Sequence, residues 1–382
     1  MKVCIVTPRY PPIVKGGGEI SVSLLARELS KFVEVDVVSF DRNLTSVSVV
    51  DDIPVTRVHP IAPHDLKLPQ NLQALRVLRE KIGTCDIFHS YNHDLMPSLG
   101  FLTKKHGINS VATLNGSVYF HSLDTEGRFK SRNPIERAVL SLIKLRNKLA
   151  LSYIRNIKTF TTLSTFYRDK FVEAGIPRDK IKIIPNMLDP NFEPKPRIKD
   201  DDKATILYTG PFTFAKGIDI LIDAYSRLEE QNLELIIVGD SPYKIQPLIK
   251  RFKPKNDINV LGKVSYDKLP DLYALADIYV LPYRYPYPVG RTILEAMVSG
   301  VPTITTGNSY YSPIIEDMKS GVLIYPMEAE RLAETIQRLI DSPNLRKRLS
   351  HNAKKRVRDV CSPHKISRKY LEIYERLISS DT

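Results

Sequence analysis

Strand-like apolar runs alternate with helix-periodic segments from one end of this chain to the other, and that alternation constrains its fold more than any other feature. Lys2–Thr7 reads as a buried strand, the Pro- and Gly-rich stretch 8–18 as a loop, and Glu19–Phe32 as an amphipathic helix. Further strands are predicted near Val33–Phe40, Val55–Val58, Ile87–His89, Ser110–Leu114 and Thr159–Leu163. Continuous apolar strands separated by helices need cover on both faces, so the expected class is α/β with parallel, doubly wound sheets. A second series starts at Ala204–Thr209 and runs through Leu233–Val238, Ile258–Val260, Ile278–Leu281, Thr303–Thr305 and Val322–Tyr325. Between the two, Pro185–Lys203 holds Pro185, Pro190, Pro194 and Pro196 and then the run Asp200-Asp201-Asp202, the composition of a linker. No strand end presents that Asp-x-Asp, so it reads as solvated linker and not as a metal site.

A chain of 382 residues suits two such domains, since single cores rarely grow beyond about 250–300 residues. The expected division is 1–195 and 196–362, each a Rossmann-like sheet, with ligands in a cleft at the carboxyl ends of the strands. Pro363 breaks the chain before a last helix, His364–Ile378, whose Ile366, Tyr370, Ile373, Tyr374 and Leu377 form an apolar face needing a partner.

Composition narrows the setting. Cys4, Cys85 and Cys361 are far apart and odd in number, which suits neither a disulfide framework nor a metal site and points to a reducing, cytoplasmic compartment. Met1-Lys2 runs straight into a strand, so no secretory leader is expected, and no stretch has the roughly 20 apolar residues needed to span a bilayer. The protein is expected to be cytoplasmic and at most peripheral on the membrane face. Its net charge of +13 favours polyanions or is merely the basic balance of a folded chain. Nucleic acid is not an expected partner: Trp is absent, and no RNP-type, zinc-finger or helix-turn-helix signature appears.

Three segments carry candidate chemistry. Gly16, Gly17 and Gly18 lie between the first strand and its helix, where bare backbone can approach a phosphate or sugar, or where the loop is merely flexible. They match neither G-x-G-x-x-G nor a P-loop. Gly210 ends a strand, and Lys216 opens the next helix, placed either to neutralise a diphosphate or simply to face solvent. Gly290 opens a third helix that carries Arg291 and Thr292 in its first turn and Glu295 one turn on. That helix end suits phosphate and its carboxylate suits two ribose hydroxyls; alternatively Arg291 and Glu295 form an i,i+4 ion pair.

With these segments in view, the chain resembles the retaining, GT-B-fold glycosyltransferases of family 4 (glycosyl transferases group 1), which use nucleoside diphosphate sugars. The resemblance rests on the Gly triplet, Asp86-Ile87-Phe88-His89, Ile184-Pro185-Asn186 with Asp189, Lys216-Gly217 and Val238-Gly239-Asp240. It continues through Leu261-Gly262, Ala276-Asp277, Gly290, Leu294-Glu295-Ala296-Met297 and Gly300-Val301-Pro302. It implies Lys216 as a diphosphate ligand, Glu295 as a ribose ligand, the Gly210 turn and the backbone at Gly290–Thr292 beside the phosphates, and Gly16–Gly18 near donor and acceptor. It also implies that the last helix, 363–382, returns to the N-terminal, acceptor-side domain, leaving 196–362 to hold the nucleotide sugar. No cofactor and no metal are expected, because lysine, arginine and helix termini stabilise the leaving diphosphate.

The chain departs from the family's pattern at three positions. Pro211 stands where an arginine is usual, Asn115 where a histidine is usual near the reacting sugar, and Tyr287 where the first glutamate of a pair is usual. Asn115 and Tyr287 are the catalytic-side candidates; Arg291, with Arg9 in reserve, is the candidate replacement cation. Residues 128–158 hold nine Lys or Arg against Glu136 alone, with leucines interleaved. Such a helix either lies on an anionic membrane or packs an apolar face inward with a solvated basic one. On the first alternative the acceptor is lipid-linked, a glycolipid or lipid-borne glycan. The expected activity is hexosyl transfer. A non-catalytic nucleotide-sugar-binding scaffold is the alternative motivated by Pro211, Asn115 and Tyr287, and a nucleotide-sugar epimerase of the same shape is a third.

Overall fold

A computed structural model describes residues 1–14, 16–40, 47–61, 67–114, 134–197, 203–229, 232–239, 244–284, 289–308 and 314–380. The chain divides into two compact units, one of 1–163, 167–184 and 363–382, the other of 164–166 and 185–362.

The first unit contains β1 (Lys2–Thr7), α1 (Gly17–Ser30), β2 (Glu34–Phe40), β3 (Val47–Val50), β4 (Ile53–Val58), α2 (Lys67–Glu80), β5 (Ile87–Tyr91), α3 (Met96–His106), β6 (Ser110–Leu114), α4 (Pro134–Ile154), β7 (Thr159–Thr162), α5 (Thr165–Glu173) and β8 (Ile181–Ile183). Its sheet runs β3-β4-β2-β1-β5-β6-β7-β8. All pairs are parallel except β3 with β4, which β-hairpin geometry sets antiparallel. Val50 pairs with Ile53 across Asp51-Asp52, both at positive φ, 50° and 61°. Two left-handed residues make the primed turn that matches strand twist, and Asp tolerates that region better than most. This hairpin strand and β8 extend the sheet beyond the strands predicted from periodicity, being too short to carry a period.

The second unit contains β9 (Ala204–Gly210), α6 (Ile218–Ser226), β10 (Leu233–Gly239), α7 (Gln246–Phe252), β11 (Asp257–Gly262), α8 (Leu269–Leu275), β12 (Ile278–Leu281), α9 (Arg291–Ser299), β13 (Thr303–Thr306), β14 (Val322–Ile324), α10 (Ala329–Ile340) and α11 (Pro343–Cys361). Its sheet is all parallel in the order β11-β10-β9-β12-β13-β14, the doubly wound arrangement whose order reverses between β9 and β12. Buried Ile206, Leu207, Tyr208, Leu235, Ile237 and Val280 fill the layer between sheet and helices.

The unit boundary falls after Ile184, not at the 195/196 division expected from the proline run. Phe192 is buried in the second core, and the Leu188 N–H donates to the Cys361 carbonyl at 2.8 Å. Prolines here mark a strap laid along the second unit; the Asp200–Asp202 run lies outside the described residues. The last helix, α12 (Pro363–Ser379), packs in the first unit and touches α1. Ile366, Tyr370, Leu371 and Tyr374 are buried there, while Ile373 and Leu377 are half-buried. Among the described residues no helix is long and apolar enough to cross a membrane.

Candidate active site

The second unit's sheet reverses order between β9 and β12, and the carboxyl ends of those strands carry Gly210, Lys216 and the segment Gly290–Glu295 from among the sequence-predicted residues. Two glycines are demanded by close backbone approach. A Cβ on Gly239, at the end of β10, would lie 1.9 Å from the Gly210 carbonyl oxygen. Gly217, at φ 65°, would place a Cβ 1.9 Å from the Pro282 carbonyl oxygen. The turn that carries Lys216 is thereby pressed against the end of β12, in a backbone conformation that favours glycine.

Lys216 lies across the Tyr283 ring, 4.3 Å from its centroid, and its Nζ donates to the Tyr283 hydroxyl at 3.0 Å. A Cβ on Gly290 would stand 3.1 Å from that same hydroxyl, so the Gly290 backbone borders the lysine's support. Gly290 is the extended N-cap of α9, and the Arg291 and Thr292 N–H groups sit in the first turn, where the helix has no carbonyl to offer them. A lysine and a helix N-terminus thus flank one hydroxyl.

Arg284 holds the Lys216 turn from the other side. Its Nε donates to the Phe214 carbonyl at 3.1 Å, its guanidinium stacks 3.7 Å from the Phe214 ring centroid, and it ion-pairs with Asp219.

Glu295, one turn into α9, is 3% exposed and is held by hydroxyls and a guanidinium. Tyr266 Oη lies 3.3 Å from its Oε1 and Tyr273 Oη 3.2 Å from its Oε2. Arg291 Nη2 is 3.7 Å from Glu295 Oε1, 3.4 Å from Asp189 Oδ2 and 3.1 Å from the Tyr266 hydroxyl, to which it donates. Burial pushes the Glu295 carboxyl above its usual range, while Arg291 and the two tyrosine hydroxyls pull it back. Burial also pushes the Tyr266, Tyr273 and Tyr279 phenols up, so they stay protonated donors. Tyr279 donates to Thr292 Oγ1 at 2.9 Å, tying β12 to the first turn of α9.

The ion-pair alternative describes the geometry of Arg291 and Glu295, and Asp189 joins the pair. Arg291's charge is opposed by two carboxylates, although its buried Nη1 has no hydrogen-bond partner among the described residues. Sequence reasoning missed Tyr266, Tyr273, Tyr279, Tyr283 and Arg284. The signal was available: buried tyrosines need partners for their hydroxyls, and Tyr273, Tyr279 and Tyr283, all buried, recur within one short stretch after the half-exposed Tyr266.

In the first unit, Gly16 caps α1 and its N–H donates to Glu19 Oε2 at 3.0 Å; Arg9 lies 3.6 Å from Glu19 Oε1. A Cβ on Gly18 would meet nothing within 4 Å, so the fold itself does not require glycine there. Asn115, Tyr287 and Asp240 lie outside the described residues.

Comparison with known proteins agrees with this architecture. Residues 190–356 match the family described as glycosyl transferases group 1, and residues 15–192 match glycosyltransferase family 4. An uncharacterized glycosyltransferase of Methanocaldococcus jannaschii is 27% identical over 98% of both chains. Among solved structures, sucrose-phosphate synthase from Thermosynechococcus elongatus superposes with a TM-score of 0.80 at 19% identity, covering 99% of each chain. The Anabaena protein HepE, solved with UDP and glucose, gives 0.74 at 18% identity over 98% of this chain and all of that one. Those neighbours establish the GT-B fold. With both halves matched in order, the chain belongs to the group 1, family 4 glycosyltransferases.

Proposed function

We propose that this glycosyltransferase is catalytically active, retaining and metal-independent, moving a hexose from a nucleoside diphosphate to a lipid-linked or glycan acceptor. The observation that carries the reading is the convergence of Lys216, the first turn of α9 and Glu295 beside the ends of β9 and β12. Lys216 and the α9 N-terminus supply charge and N–H donors to a diphosphate, so negative charge developing on the leaving group is stabilised by groups already in place. Glu295, steadied by Tyr266, Tyr273 and Arg291, accepts hydrogen bonds from ribose hydroxyls. The UDP and glucose held by the Anabaena neighbour support a nucleoside diphosphate hexose as donor.

In the retaining reaction the acceptor attacks the face the diphosphate leaves, and the departing phosphate oxygen takes the acceptor's proton. The chain's own residues therefore position and neutralise; none has to be a nucleophile. A cation on Lys216 and a helix dipole replace the charge a metal would bring. The first unit takes the acceptor, and the bare backbone at Gly18 supports close approach of a ligand there.

The test combines turnover and binding. Incubated with nucleoside diphosphate hexoses, the protein should release free nucleoside diphosphate slowly without acceptor, and equally in the presence of a chelator. Lys216→Ala should weaken nucleoside diphosphate binding about tenfold or more in calorimetry, the loss of one charge-assisted contact. Binding without any release points to a scaffold, and unchanged affinity in Lys216→Ala refutes the site.

A further inference from the structure

The first unit exposes an apolar groove lined by none of the residues assigned to the donor site. It is about 670 Å³ and runs between α2 and α4 over a floor that includes Phe101 of α3. Leu142, Leu145 and Leu149 recur along α4 at helical spacing and are 66%, 55% and 57% exposed; Leu68 and Leu72 of α2 are 69% and 57% exposed. The cause lies in how α4 packs. Gly100 of α3 approaches so closely that a Cβ would meet the Tyr153 carbonyl oxygen at 2.2 Å, and Ala150 and Ile154 are buried. One stripe of α4 is thus consumed by the core, and the leucine stripe beside it is left in water. Clustered exposed leucines of this kind mark a contact surface.

Charge identifies what the surface meets. The groove continues past Leu75 and Phe101 into a second depression bordered by Arg76, Arg79, Lys105 and His106, with Glu80 its one acid. Lys105 Nζ lies 6.0 Å from the Phe101 centroid, and exposed Arg146 stands on the α4 side of the groove. A second copy docked through the same face would set this basic rim against itself. An anionic bilayer satisfies both parts: leucines enter the acyl boundary while arginine and lysine meet headgroup phosphates.

We propose that the α2–α4 face docks the protein on membranes containing anionic lipid. The inference deepens the acceptor half of the function proposed above and rests on it only for the idea that the acceptor is membrane-borne.

Co-sedimentation with vesicles of phosphatidylcholine alone, and of phosphatidylcholine with phosphatidylglycerol in equal parts, tests it. The wild-type protein should bind the mixed vesicles, lose binding as salt rises, and ignore the neutral ones. The triple variant Leu142→Ser, Leu145→Ser, Leu149→Ser should bind at least about tenfold more weakly, since it removes the inserted apolar surface. Arg76→Glu, Arg79→Glu, Lys105→Glu should fall at least about a hundredfold, given the ~1 kcal/mol each basic residue contributes near such a surface. Both variants should keep wild-type affinity for nucleoside diphosphate in solution, which reports the donor site separately, and the charge variant remains informative if the leucine variant does not fold. Wild-type protein that ignores anionic vesicles, or folded variants that bind them as well as wild type, would overturn the proposal. So would a wild-type dimer that the leucine variant dissolves without any vesicle binding, which assigns the face to a second copy.

Discussion

Arg291 shows how a residue chosen for one task is placed for another. Its position in the first turn of a helix after glycine suggested a phosphate ligand, and its helix dipole environment is indeed suited to anions. Yet its guanidinium is engaged by Asp189, Tyr266 and Glu295. Removing it leaves two buried carboxylates without their cation, a change that typically costs about 3–5 kcal/mol. Arg291→Ala should therefore lower stability by that order in denaturant unfolding of the second unit, with nucleotide affinity falling through the loosened Glu295. Arg291→Lys keeps the charge on a more flexible stem without the rigid guanidinium that brings one nitrogen to all three oxygens, and should fall between. Wild-type stability in Arg291→Ala would mean the carboxylates do not depend on it.

Among the elements, α12 shows most directly a placement that depends on contacts far along the chain. His89 of β5 is fully buried, with Nδ1 2.7 Å from the Tyr374 hydroxyl and Nε2 2.7 Å from Thr113 Oγ1. Burial pulls the imidazole down to about 3. The folded-state value lies below the unfolded one of about 6.5, so the unfolded chain takes up the proton first as pH falls. Stability from the neutral histidine is complete above about pH 6.5 and declines toward about pH 3, by up to about 1.4 kcal/mol per pH unit. Urea unfolding followed through the first unit should lose about 2 kcal/mol between pH 6.5 and 5 in the wild type. His89→Gln should start less stable and lose less over the same interval. An identical pH dependence in both proteins would sever the link between this histidine and the docking of α12.

For the whole molecule, two cores with the proposed donor site in the second make an asymmetric response to ligand the expected behaviour. A nucleoside diphosphate at a hundredfold excess over its dissociation constant adds about 2.7 kcal/mol to whatever folds around it. Scanning calorimetry should therefore show the transition of the second unit moving up while that of the first stays in place. Equal displacement of both would show that the nucleotide draws its binding energy from both units. The +13 net charge acts at this scale too, drawing polyanions of any kind toward the surface and leaving specificity to local geometry.

What the sequence determined by itself were the features with a local cause. Apolar runs and helical periods located most of the strands, and the glycines at 210 and 290 marked a strand end and a helix start. Those signals survive in one dimension because burial on both faces and close approach restrict residue type directly. Lys216 and Glu295 stood out by their places near helix starts, and the family's motifs gave them the expected roles of diphosphate and ribose ligands. Only the tertiary structure decided the partners: that Tyr283 carries Lys216, that Asp189 shares Arg291 with Glu295, and that the proline run belongs to the second core. It also decided that the Ala150 and Ile154 stripe of α4 is spent on packing while Leu142, Leu145 and Leu149 are left exposed. These depend on side chains distant in sequence arriving at one point, and no local propensity encodes which of several buried hydroxyls or carboxylates will be waiting there.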